Sequence, residues 1–179
     1  MDNKDRAQRI ESLSVAARLQ DLAVHMREGE SSRMLKIYAV LERLEPGVYL
    51  VGAGPYTQGV FSLSSDEIVV GRMATALEEP LDQPVDLFVN DGVTLTPREV
   101  SRIHCAIVRR DVEGEHGYFL SDRGSTCGTL HNGRKLEPTS STTGEGLSLP
   151  TQLLSDGDVI SLGSSGINNY VFVDLRGQV

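Results

Sequence analysis

The chain has 179 residues, 39% of them apolar and 23% charged, which fits one domain of about 150 residues with an appendage and argues against a disordered chain. No apolar run approaches the ~18–20 residues of a membrane span, the opening Met1-Asp2-Asn3-Lys4-Asp5-Arg6 is not followed by the apolar run of a signal peptide, and two cysteines, Cys105 and Cys127, are too few for a disulfide scaffold; the chain reads as soluble and cytoplasmic. The net charge of −8 lies wholly in residues 46–179, with nine Lys/Arg against seventeen Asp/Glu, while residues 1–45 hold eight of each; such an acidic body argues against nucleic-acid binding but leaves room for one phosphate on a local arginine cluster.

Residues 4–45 have helical periodicity. Ile10, Leu13, Ala17 and Val24 form one stripe, and Leu19, Leu22, Ala23 and Met26 a second. Gly29 suits a left-handed cap, Ser31 or Ser32 can begin a second helix, and Met34, Ile37, Tyr38, Leu41 and Leu44 give that helix a single stripe up to Pro46-Gly47. Residues 1–45 are therefore an N-terminal α-helical hairpin appendage, packed on its own domain. The other reading is a surface for homo-oligomerisation or partner docking, which the two stripes of the first helix would also fit.

From residue 46 to 179 short apolar runs alternate with Gly, Asn, Asp, Ser and Pro. Strands are expected at Val48–Val51, Val60–Leu63, Ile68–Val70, Leu87–Val89, Ile103–Arg109, Tyr118–Ser121, Thr129–His131, Val159–Leu162 and Tyr170–Val173. Many short strands between turn signals predict a mainly β fold, an antiparallel β-sandwich. Ile103–Val108 is apolar on both faces apart from His104, as a central strand is. Met73–Pro84, acidic with two prolines, and Glu137–Pro150, rich in Ser, Thr and Gly, read as loop insertions.

Metal-ligand spacing, a nucleotide-binding glycine loop and HExxH are all missing from the sequence. A triad of Cys127, His104 and Asp122 can be written down, but no spacing brings those side chains together; neither an enzyme nor a cofactor is expected. The residues suited to one anion are of another kind. Arg72 follows Gly71 at a strand end, Ser101 and Arg102 precede the strand at Ile103, and Ser125, Thr126 and Gly128 lie in a tight loop between strands. Guanidinium groups grip phosphate oxygens in a fork, and hydroxyls and loop N–H groups add further donors.

Four segments carry a family resemblance: Val70-Gly71-Arg72, Val100-Ser101-Arg102-Ile103-His104, Asp122-Arg123-Gly124-Ser125-Thr126-Cys127-Gly128-Thr129-Leu130-His131-Asn132-Gly133, and Asp156-Gly157-Asp158-Val159-Ile160-Ser161-Leu162-Gly163. In this order they resemble the forkhead-associated (FHA) domain family across roughly residues 46–176. The resemblance implies an eleven-stranded β-sandwich whose end loops bind phosphothreonine in an extended peptide. By motif position, Arg72 and Ser101 would hold the phosphate and Arg102 would flank it. Thr126 and Cys127 would contact the peptide beside it. Gly71, His104, Gly128 and Asn132 would brace the loops. The implied partner is a phosphothreonine-containing protein made by a Ser/Thr kinase pathway, which implies a role in signalling.

Two departures stand out. Where the family usually has Asn before the Gly-Thr pair, this chain has Cys127, and a thiol is a weak donor and acceptor. The expected result is weakened or retuned binding. A phosphate-independent scaffold that keeps the fold, or a redox-tunable site, are the other readings. The spacing from Arg72 to Ser101 is also long, and Met73–Pro84 accounts for the excess.

Overall fold

The computed structural model describes residues 35–177 apart from 36, 55, 56, 58, 74–77, 79, 80, 90–97, 113 and 139–150. The first predicted helix and most of Glu137–Pro150 lie outside the described residues. Among the described residues eleven strands run in chain order: β1 Val48–Gly52, β2 Val60–Ser62, β3 Glu67–Arg72, β4 Leu87–Val89, β5 Cys105–Val112, β6 Glu115–Asp122, β7 Thr129–His131, β8 Arg134–Lys135, β9 Gln152–Leu153, β10 Val159–Leu162 and β11 Asn169–Asp174. They form a six-stranded sheet, β2-β1-β11-β10-β7-β8, and a five-stranded sheet, β4-β3-β5-β6-β9.

Period-two alternation builds the core between the sheets. Val48 and Leu50 of β1, Ile160 and Leu162 of β10, and Tyr170 and Phe172 of β11 face inward from one sheet. Ile68 and Val70 of β3, Cys105 and Ile107 of β5, and Tyr118 and Leu120 of β6 meet them from the other. With no Trp available, Tyr118 packs its ring against Phe172, with centroids 5.7 Å apart. Burial pushes the Cys105 thiol well above its ordinary range, so it packs as a small apolar group.

Three expectations need correction. The sandwich is not wholly antiparallel, because β3 pairs with β4 in parallel register, Val70 opposite Leu87 and Arg72 opposite Val89. Two parallel neighbours need a crossover of a dozen or more residues. Residues 73–86 supply it, so Met73–Pro84 is the connection the topology requires and more than an inserted loop. Strand β5 begins at Cys105, after Ile103 and His104. Of the expected second helix, residues 35 and 37–41 are helical among the described residues. The helix ends in tightened turns, with Arg43 N–H donating to Val40 O at 3.0 Å and Leu44 N–H to Leu41 O at 3.4 Å. Ile37 packs with Val51 and Val173 on the outer face of the six-stranded sheet, joined by Leu41. Tyr38, placed in the apolar stripe by spacing, is 58% exposed. No helix among the described residues is long and apolar enough to cross a membrane.

Candidate functional site

Register brings three loops to one end of the sandwich. Strand β3 runs toward Arg72, and antiparallel β5 starts at Cys105 opposite Val70. The β5–β6 hairpin returns the chain to Asp122 opposite Cys105. The end of β3, the start of β5 and the end of β6 therefore share one tip. Backbone bonds lock the arrangement: Arg72 N–H donates to Ser101 O at 3.0 Å, His104 N–H to Val70 O at 2.9 Å, and Arg123 N–H to His104 O at 2.9 Å.

Buried polar side chains brace these loops from beneath. His104 has no exposed surface. Its Nδ1 accepts from Ser101 N–H at 3.0 Å. Its Nε2 meets Gly128 O at 3.2 Å, which fixes the proton on Nε2, since a carbonyl can only accept. One imidazole thus ties the second loop to the third. Asp122, also buried, accepts from the N–H groups of Gly124 and Ser125, both at 2.9 Å. The hydroxyls of Ser125, at 2.5 Å, and Thr129, at 2.6 Å, complete its shell. Burial alone would raise the Asp122 carboxyl, but the bonds from Ser125 and Thr129 outweigh it and hold the group below the ordinary carboxylate range. Gly128 has φ of +84°, and a Cβ there would lie 2.3 Å from Lys135 Cε; only glycine suits this turn without strain.

Arg72, Ser101, Arg102 and Thr126, with Leu81 and Ile103, line an open groove of about 360 Å³ among the described residues. Thr126 N–H donates to Ser101 Oγ at 3.0 Å. As a donor the Ser101 hydroxyl makes a long 3.5 Å contact with Thr126 Oγ1, which a better acceptor would replace. The Arg72 side chain, 15% exposed, meets Glu78 in a fork, Nη1 to Oε2 at 2.8 Å and Nη2 to Oε1 at 2.5 Å. Arg72 Nη1 also donates to Met73 O at 3.2 Å. Of the expected contact residues, four come together on the groove. Cys127, half-buried and in no disulfide, follows Thr126 without lining it.

Asn132 stands farther off, beside the β7–β10 pairing, with φ of 49°. Its Nδ2 donates to Asp158 Oδ1 at 2.7 Å and its Oδ1 accepts from Val159 N–H at 2.8 Å. His131 Nε2 meets the other Asp158 oxygen at 2.7 Å. Burial raises the Asp158 carboxyl, but bonds from Ser155 N–H, Asn132 and His131 hold it low.

The paper triad is not assembled. Both His104 nitrogens have backbone partners, so the ring is not poised as a base for Cys127. Among the described residues no group of three His, Cys, Asp or Glu side chains is arranged to hold a metal ion. Three residues gain roles that the sequence did not assign. Asp122 is the hub of the third loop, and its signal was the Asp-x-Gly-Ser string of an Asx turn. Glu78 and Leu81 reach the groove from the crossover, where no periodicity marks them.

The FHA domain family model matches residues 68–163, more than half of the chain. Full-length yeast Pml1p is similar in structure, with a TM-score of 0.54 and 19% identity over 77% of this chain and 91% of that one. The FHA domain of the CT664 protein from Chlamydia trachomatis aligns with a TM-score of 0.47 and 22% identity, covering 71% of this chain and 96% of that one. A search of curated proteins found no match. With a family pattern that runs from β3 through the three tip loops to the end of β10, the chain belongs to the FHA domain family.

Proposed function

We propose that the chain is a phosphothreonine-dependent protein-interaction module. The phosphate of an extended partner peptide docks on Arg72, Ser101 and Arg102, and Thr126 and Cys127 contact the peptide beside it. The observation that carries the reading is the two-oxygen fork of Arg72 on a carboxylate, in a groove that also holds the Ser101 hydroxyl. A guanidinium that grips two carboxylate oxygens grips two phosphate oxygens by the same geometry. A phosphate adds a charge of about −1.5 to −2 and a third oxygen. Membership of the FHA family supports the same reading. No covalent step is involved. The partner is a protein phosphorylated by a Ser/Thr kinase, and the role is in signalling.

A phosphate-independent scaffold is the second reading, favoured by Cys127 in place of the family's Asn. A degenerate phosphothreonine peptide library and its unphosphorylated copy separate the two. Wild type should retain the phosphorylated library alone. For a selected peptide, Arg72→Ala should weaken binding by about 2 kcal/mol, roughly thirtyfold, by titration calorimetry. Equal retention of both libraries would select the scaffold. On the phosphopeptide reading, Cys127→Asn should tighten the same peptide by about 1 kcal/mol, the worth of one ordinary hydrogen bond; an unchanged affinity would remove Cys127 from the contact set.

A further inference from the structure

Resting on the phosphopeptide reading, we infer that Glu78 is a competitor built into the chain, a carboxylate that occupies the Arg72 fork and sets the threshold a phosphopeptide must exceed. The pair is well formed. Both guanidinium Nη atoms meet both carboxylate oxygens, at 2.8 Å and 2.5 Å, with side-chain exposures of 15% for Arg72 and 25% for Glu78. The Arg72 backbone does not depend on Glu78 for its position. It is held by Ser101 O and by pairing with Val89. Glu78 therefore occupies the guanidinium without being needed to hold the strand end that carries it.

The exchange has a direction. Glu78 lies six residues along the crossover from Arg72, and a ligand tied by so short a segment has an effective concentration in the millimolar range. A carboxylate on a free peptide offers the same two oxygens without that advantage, so it is held off. A phosphothreonine offers about −1.5 to −2 charge and a third oxygen. It also reaches the Ser101 hydroxyl, whose contact to Thr126 Oγ1 is long at 3.5 Å. Every ligand of the fork is weakened by the same factor, and only those with interactions beyond the fork remain useful binders.

The test uses the full chain and one phosphothreonine peptide selected from the degenerate library. Glu78→Ala should tighten that peptide about tenfold, and Glu78→Gln somewhat less, because the amide keeps one acceptor without the charge. Asp82→Asn removes the same charge from an exposed site on the same crossover and should change affinity less than twofold. In the Arg72→Ala background, Glu78→Ala should have no effect. If wild type binds and neither Glu78 variant gains, the inference fails while the phosphopeptide reading stands. An equal gain in Asp82→Asn would also overturn it, since the effect would then be general charge. If wild type and the Glu78 variants all fail to bind any phosphothreonine peptide, both readings fall. Binding by the Glu78 variants alone would support the inference most strongly.

Discussion

Gly71→Ala should lower stability by about 4 kcal/mol and, on the phosphopeptide reading, remove binding with it. A Cβ at this position would lie 2.0 Å from Arg102 O and 2.8 Å from Arg102 C. Both are backbone atoms, so no side-chain rotation relieves the clash. Residues 101–104 would have to move away from β3. That shift breaks the bonds from Arg72 N–H to Ser101 O and from His104 N–H to Val70 O, now 3.0 and 2.9 Å. Overpacking costs about 1–3 kcal/mol, and the two buried bonds add about 1 kcal/mol each. The sum is a large share of the ~5–15 kcal/mol that holds a domain together. Urea denaturation with an unchanged slope would read the loss directly. A variant within 1 kcal/mol of wild type would mean the second loop can give way, and that the fixed spacing of Arg72 and Ser101 is not what the tip depends on.

The sandwich was legible because short apolar runs lie between turn residues, and nine strands follow from those runs. In β1, β10 and β11 every second residue then faces the same core. Strands β8 and β9 were not legible, since each is two residues long with both side chains exposed, and such an edge carries no alternation. The parallel pairing of β4 was hidden for another reason. Residues 87–89 read equally well as a strand in either direction, and only the long crossover hints at the choice. Part of the site was legible through spacing, with Gly71-Arg72 at a strand end and Ser101 before the next central strand. What the residues do to one another was not. Glu78 reaches Arg72 across six positions, and His104 reaches Gly128 across 24. Contacts of that kind depend on the finished fold rather than on any local pattern. Tyr38 shows the converse, a periodic position that the structure leaves exposed.

Asp122→Ala should cost about 4 kcal/mol at pH 7, and the cost should fade in acid. The carboxylate receives two N–H groups and two hydroxyls in a buried pocket. Hydrogen bonds to a charged group are worth about 1.5–3 kcal/mol each, though not additively, and truncation leaves buried donors unsatisfied. The third loop would lose its hub, and the N–H of Thr126 and the carbonyl of Gly128 would no longer be held toward Ser101 and His104. The pH dependence follows from the direction of the shift. The folded Asp122 carboxyl lies below its ordinary value, so the fold prefers the ionised form. That stability is fully present above the unfolded pKa of about 3.9 and is lost as pH falls through the lower folded value. Asp158 is shifted in the same direction, so the wild-type profile alone does not isolate Asp122. The difference between wild type and Asp122→Ala does. It should be constant from about pH 5 to 7 and shrink steadily below about pH 4. Urea titrations at a series of pH values measure it. A difference that stayed constant down to pH 2 would mean that shape, and not the charge of Asp122, holds the loop at the sandwich tip.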